Sequence, residues 1–319
     1  MQRSIRLSNV FFALLFLGIL LAIFLLSQHE VRGRGFRPHC MNNIRQVILA
    51  CHIYESGNQR FPSCSTAPTD GLGESFLVQI LPFIDQANLY DDFRKSTGNI
   101  ESSLVSLSQK RVPLFLCPSP ELNAEKSNQS PDGNQYTSHY VASLGPNRDP
   151  DSIGYQFTYS DSSVANNPAI GLQGMFSPGS ADPLNPKVRG VFGRTLGKQF
   201  GDAQDGSSNT IALFESSASD IEKSPRYLRH SWAFGHAEST DKSNLKFVFA
   251  GSSIDQMINQ RPAQDNVIRW NSRTLNSNHS AGAMVAMVDG SSQFVSDNVS
   301  IEVLRAMSGI ADGQAASFE

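Results

Sequence analysis

The chain begins with an apolar run, Val10 to Leu26, that no charged or polar side chain interrupts, set between Arg3/Arg6 and Arg32/Arg34/Arg37. At ~1.5 Å rise per residue, Leu7 to Leu26 forms a helix of about 30 Å, enough to cross the hydrocarbon core of a bilayer. With Phe11, Phe12, Leu14, Leu15, Phe16, Leu17 and Leu20 it is apolar on every face, whereas a soluble helix carries a polar stripe. A cleaved secretory signal has a shorter apolar core and small residues at its cut site, and Leu25-Leu26-Ser27-Gln28-His29 offers no such pair. The pattern therefore predicts a cytoplasmic segment over 1–9, a transmembrane helix over 10–30, a juxtamembrane linker over 31–38 and a folded domain over 39–319.

Beyond the linker, whose Gly33, Gly35 and Pro38 break helical continuity, Cys40, Ile44, Val47, Ile48 and Cys51 follow the i, i+4, i+7, i+8 rhythm of a helix with one buried face. Arg45, Gln46 and Glu55 fall largely off that face, and Gly57-Asn58 reads as its C-cap. Phe76 to Ile84 and Leu89-Tyr90 read as a helix broken at Pro82. Val112 to Pro118 and Tyr140 to Gly145 read as short strands. The stretches 146–190 and 216–278 keep no period and read as long loop excursions, the second holding Trp232 and Trp270. Between them, Asp205-Gly206-Ser207-Ser208-Asn209 is a turn feeding the strand Thr210 to Glu215. Near the end, Ala283 to Val288 and Ser291 to Val295 flank Asp289-Gly290, a strong hairpin signal because glycine accepts positive φ, and Ile301 to Met307 closes the chain as a short helix. The fold class expected is α+β: a helix packed on an antiparallel sheet, with long irregular loops.

Composition changes the picture in three places. The roughly 290 residues after the anchor suffice for one large domain or two small ones. Net charge is -3, with no basic block beyond the juxtamembrane arginines, so nucleic acid is not an expected partner and those arginines suit lipid headgroups. Arginines flank both ends of the apolar run, which leaves the positive-inside count nearly balanced. Orientation rests instead on the body, rich in Ser, Asn, Gly and Pro, poor in Lys and carrying four cysteines, which suits export. A single-pass inner (cytoplasmic) membrane protein with its amino terminus in the cytoplasm is the expectation.

Cys40, Cys51, Cys64 and Cys117 form no C-x-x-C pair, which gives little support to a zinc ribbon or thioredoxin-type site. Cys40 and Cys51 lie about 16 Å apart on one helix and cannot bridge each other. Pairing Cys40 with Cys117 and Cys51 with Cys64 would contribute about 4.5 and 3 kcal/mol in the chain-entropy account; four buried thiols are the alternative.

No nucleophile elbow, H-E-x-x-H helix, phosphate-binding loop or dinucleotide fingerprint occurs. His279 with Asp289 invites a base and its orienting carboxylate, but ten extended steps cover about 33 Å, so the two fall at opposite ends of a strand. His52, His139, His230 and His236 have no ligand spacing, and no metal or cofactor is expected. Asn209 and Glu215 flank an apolar strand as candidate buried hydrogen-bonding partners of loop backbone.

Taken in order, Cys40-Met41-Asn42-Asn43-Ile44-Arg45-Gln46 with Tyr54 and Phe61-Pro62, Ile80-Leu81-Pro82-Phe83-Ile84-Asp85-Gln86 with Leu89-Tyr90, Phe115-Leu116-Cys117-Pro118-Ser119, Asp205-Gly206-Ser207-Ser208-Asn209-Thr210-Ile211 with Glu215, and His279 followed after nine residues by Asp289-Gly290-Ser291 resemble the bacterial family called domain of unknown function 1559. Its members carry a "prepilin-type processing-associated" His, nine residues, Asp-Gly signature. The resemblance implies a pilin-like or type II secretion pseudopilin-like architecture, with no catalytic residues to carry over, and it pairs the Cys40 and Cys117 segments as anchor points. His279, Asp289 and Gly290 match the signature, for which a hairpin role is inferred. Pilin-like members usually begin with a basic leader, Gly-Phe-Thr-Leu and a nearby glutamate; Arg6-Leu7-Ser8-Asn9-Val10-Phe11 has neither the glycine nor an acidic residue in the apolar run.

The function expected is a membrane-anchored, non-enzymatic pilin-like structural or interaction component of the envelope, with other pilin-like or secretion-system subunits as protein partners. A tethered module using the two long loops to hold a glycan or protein is the alternative, and an anchored hydrolase the third.

Overall fold

The computed structural model describes residues 11–12, 14–21, 36–66, 73–118, 125–126, 133–146, 197–217, 231–238, 246–248, 250–254, 257–260, 275–309 and 316–318. Residues 11–12 and 14–21 are helical, with Phe11, Phe12, Leu14 and Phe16 each about two-thirds exposed. Among the described residues no helix is long and apolar enough to cross a membrane. The expected span over 10–30 is thus not shown; the rest of that stretch, and the linker up to residue 35, lie outside the described residues.

Helix α1, Arg37–Asn58, buries Cys40, Ile44, Val47, Ile48 and Cys51 as the periodicity requires. It starts inside the expected linker: Pro38 occupies its first turn, where proline's missing N–H costs nothing. The left-handed cap is Gln59 at φ 60, not Gly57-Asn58, and the Gln59 N–H donates to the Glu55 carbonyl. Strands β1 (Ser65–Thr66) and β2 (Gly73–Ser75) follow, then α2 (Phe76–Gln79), a 3-10 turn at Leu81–Phe83 carrying Pro82, α3 (Ala87–Lys95) and α4 (Ile100–Ser108). The proline break is where the sequence places it. The expected strand at 112–118 is instead a 3-10 turn, Pro113–Phe115. Pro113 brings a fixed φ and no donor, and the Phe115 and Leu116 N–H groups bond back to Val112 and Pro113 rather than across a ladder.

The remaining strands are β3 (Tyr140–Pro146), β4 (Ile211–Glu215), β5 (Phe234–Glu238), β6 (Lys246–Val248), β7 (Gly251–Ile254), β8 (Gly282–Met287) and β9 (Ser292–Ser296), and α5 is Ile301–Ala306. One sheet has the order β1-β2-β5-β6 and the other β7-β3-β4-β8-β9. Among the described strands every pairing is antiparallel except β3 with β7, and the isolated bridge between Ser216 and Asn276 is also parallel. The stretch 216–278 is therefore no continuous excursion: β5, β6 and β7 come from it and complete both sheets. Of 146–190, Pro146 ends β3 and the rest lies outside the described residues, as does Trp270.

Helix α1 crosses β4, β8 and β9. That puts the larger core on one face of the five-stranded sheet and a second, with Val141, Phe214, Ile254 and Leu304, on the other. Strand β8 shows why its sequence is apolar throughout rather than alternating: Ala283, Val285 and Met287 face the second core, Met284 and Ala286 the first. Trp232 is buried in the first core against Phe115, their ring centroids 5.3 Å apart, and its indole N–H donates to the Lys110 carbonyl at 3.0 Å.

Candidate functional site

Four segments distant in sequence meet under α1. Cys40 comes from its first turn, Cys117 from the chain leaving the 3-10 turn, Glu215 from the end of β4 and His279 from the loop entering β8. Cys40 and Cys117 are joined in a disulfide with 5.0 Å between their Cα atoms. The Tyr140 hydroxyl donates to the Cys40 carbonyl at 3.1 Å, the Asn43 amide donates to the Leu116 carbonyl at 2.9 Å, and the Cys117 N–H donates to His139 Nδ1 at 2.8 Å. These bonds fix both ends of the staple. Cys51 and Cys64, expected to pair, are not joined; both are buried thiols. Burial raises the Cys51 pKa well above its ordinary value, which keeps the thiol neutral and inert.

His279 Nε2 lies 3.4 Å from Cys117 Sγ and 3.9 Å from Glu215 Oε1, with the His279 and Glu215 side chains wholly buried. Glu215 Oε1 accepts from the Ser217 hydroxyl at 2.6 Å and Oε2 from the Met284 N–H at 3.1 Å. Burial raises the carboxyl to about 7, opposed by its hydrogen bonds with Ser217, Ser277 and Met284. Burial likewise pushes the Tyr140 phenol well above its usual range, with Glu215 adding to the shift. The four donor atoms, two sulfurs, one imidazole nitrogen and one carboxylate oxygen, all lie within 4.8 Å of one another. Sequence spacing gave no such cluster; the fold gathers it from four separate segments, with the two sulfurs bonded to each other.

His279 thus stands with Glu215 and Cys117, while Asp289 occupies the other end of β8. There the Gly290 N–H donates to the Met287 carbonyl and the Met287 N–H to the Ser291 carbonyl, closing a three-residue turn with Gly290 at φ 87. Asp289 Oδ1 accepts from the Ser291 N–H at 2.8 Å. The 205–210 turn meets this tip: the Asp289 and Val288 N–H groups donate to the Ser207 and Thr210 carbonyls, and the Thr210 hydroxyl donates to the Gly206 carbonyl. Gly206 is at φ 103 beside the Asn209 amide. Asn209 is half-buried rather than buried, Asn42 and Pro118 are exposed, and Asp205 is half-buried. A cavity of ≈ 300 Å³ is lined by Asn43, Gln46, Arg111, Leu114 and Glu125, with Cys117 among its other lining residues. Arg111 grips Glu125 through two 2.8 Å bonds, and that pairing lowers the Glu125 pKa.

The architecture is that of a helix-on-sheet α+β protein stapled through a buried cysteine, histidine and glutamate cluster. The chain matches the family described as "Protein of unknown function (DUF1559)" over residues 37–302 and belongs to it. No curated protein and no solved structure matches the chain.

Proposed function

We propose that the protein is a membrane-anchored, pilin-like structural or interaction component of the bacterial envelope that acts without catalysis, its domain held outside the cytoplasmic membrane. The observation that carries this is the helical stretch at 11–12 and 14–21, which leaves Phe11, Phe12, Leu14, Leu15, Phe16, Leu17 and Leu20 exposed at 48–65%. Such a contiguous apolar surface is unfavourable in water and stable in lipid or against a matching helix. Behind it, α1 packs its apolar face on a sheet, the arrangement the family resemblance implies for a pilin-like subunit. The histidine and carboxylate beside the staple are both buried from solvent, which favours a structural role for them over catalysis on an external substrate.

Membrane fractionation tests the proposal. The full chain should stay with membranes through alkaline carbonate, and a chain lacking residues 1–30 should not. A Ser317→Cys protein should react with a membrane-impermeant maleimide from the outer side and a Ser8→Cys protein should not, while a cross-linker should yield adducts with pilin-like subunits or further copies. A full chain found wholly in the soluble fraction would overturn the anchoring, and a purified protein that turns over a substrate would overturn the non-catalytic assignment.

A further inference from the structure

We infer that Cys40, Cys117, His279 and Glu215 form a metal site when the Cys40–Cys117 bond is reduced, taking Zn²⁺ or a similar borderline-soft divalent cation, so that one position alternates between a covalent and a metal staple. The inference stands apart from the anchoring proposal, and its tests read different properties.

The donor set and its geometry carry it. Two thiolates, an imidazole and a carboxylate are the ligand types zinc takes in closed tetrahedral sites. With Zn–S of about 2.3 Å and Zn–N or Zn–O of about 2.0 Å, tetrahedral neighbours stand roughly 3.3–3.8 Å apart. The four atoms already lie within 4.8 Å, and His279 Nε2 is 3.4 Å from Cys117 Sγ. Opening the S–S bond lets the sulfurs part, and the gap between them, His279 Nε2 and Glu215 Oε1 is where a cation fits. Outer support is in place as well: the Met284 N–H and Ser217 hydroxyl orient the Glu215 carboxylate, and the Ser277 hydroxyl accepts from the His279 backbone N–H. Of the four residues, Cys117 lines the cavity described above, and reductant and ion enter from that side.

The chemistry balances with a dithiol reductant. One dithiol gives two electrons and two protons to the sulfurs of Cys40 and Cys117 and leaves as its own disulfide. Zn²⁺ then displaces both thiol protons, and that of Glu215 where it is protonated, and the cation offsets two of the three negative charges so created.

Full-length protein reduced anaerobically with dithiothreitol, freed of reductant and mixed with Zn²⁺ should bind one ion per chain, and the oxidised protein none at this cluster. X-ray absorption on the zinc-loaded wild type should show two sulfur and two nitrogen or oxygen neighbours, a result that needs no variant to fold. His279→Asn and Glu215→Gln should each weaken binding at least about tenfold, and Cys51→Ala/Cys64→Ala should leave it intact. Zinc should also raise the melting temperature of the reduced wild type. A reduced chain that binds no zinc, that holds it through Cys51 and Cys64, or that loses its near-ultraviolet circular dichroism and does not regain it with zinc would overturn the inference.

Discussion

Glu215 shows how one side chain makes the core sensitive to pH. With the disulfide intact, the titratable groups beside its carboxyl among the described residues are His279 from the β8 entry loop and Tyr140 from β3, the latter held neutral by burial. The folded-state value of about 7 lies above the ordinary value of 4.5. The native state therefore binds the Glu215 proton more tightly, and its contribution to stability is fully present below about pH 4.5 and lost as pH rises through 7. The difference is on the order of 3 kcal/mol. Urea unfolding of oxidised protein should show the wild type losing stability from pH 5 to pH 8, and Glu215→Gln, whose amide still accepts from Met284 and donates to Ser217, should flatten that slope. A wild type more stable at pH 8 than at pH 5 would show that Glu215 stays ionised throughout. A buried, hydrogen-bonded role for Glu215 was legible in the sequence, since it ends an apolar strand. Its meeting with His279 was not, because strand pairing and the β8 entry loop, not sequence proximity, bring them together.

Elements were legible where local chemistry is strong. The α1 stripe, the Pro82 break, the 205–209 turn and the β8–β9 hairpin each rest on a short-range rule that the fold leaves intact. They were illegible where tertiary pairing decides: β5, β6 and β7 are three to five residues long, too short for a period to show, whereas α4, capped locally by Asn99 at the Glu101 and Ser102 N–H groups, carried a short-range signal that sequence reasoning missed. The hairpin gives a direct prediction. Gly290 sits at φ 87, and a Cβ there meets His52 Nε2 at 3.4 Å and Leu49 Cδ2 at 3.6 Å, contacts the structure can absorb, so backbone strain dominates. Gly290→Val should cost about 1 kcal/mol or more, because a β-branched residue is forced to positive φ. Gly290→Asn should cost less, since asparagine tolerates that region better. Equal losses in chemical denaturation for the two variants would assign the effect to contact with His52 instead. His279→Ala, at the opposite end of β8, should lower the stability of the oxidised protein in the same denaturation series, apart from any loss of zinc binding in the reduced protein.

At the scale of the whole molecule, the α+β class followed from mixed periodicities, whereas the order of strands in two sheets and the parallel β3–β7 pairing had no local signature. The cysteines connect the two levels. Cys40 and Cys117 tie the start of α1 to the chain entering the sheet across a sequence separation of 77, so their bond removes much of the unfolded chain's freedom. In the chain-entropy account that is worth about 4.5 kcal/mol, comparable to a large part of a domain's net stability. Cys51 and Cys64 make no such link and contribute as buried side chains. Alkylation of oxidised protein should therefore label few thiols in the native state and Cys51 and Cys64 once it is unfolded without reductant, with Cys40 and Cys117 recovered as one linked peptide. Cys40→Ser/Cys117→Ser should lower the unfolding free energy by several kcal/mol, and Cys51→Ala/Cys64→Ala by less. If the second pair cost as much as the first, packing rather than the covalent tie would be what holds α1 on the sheet.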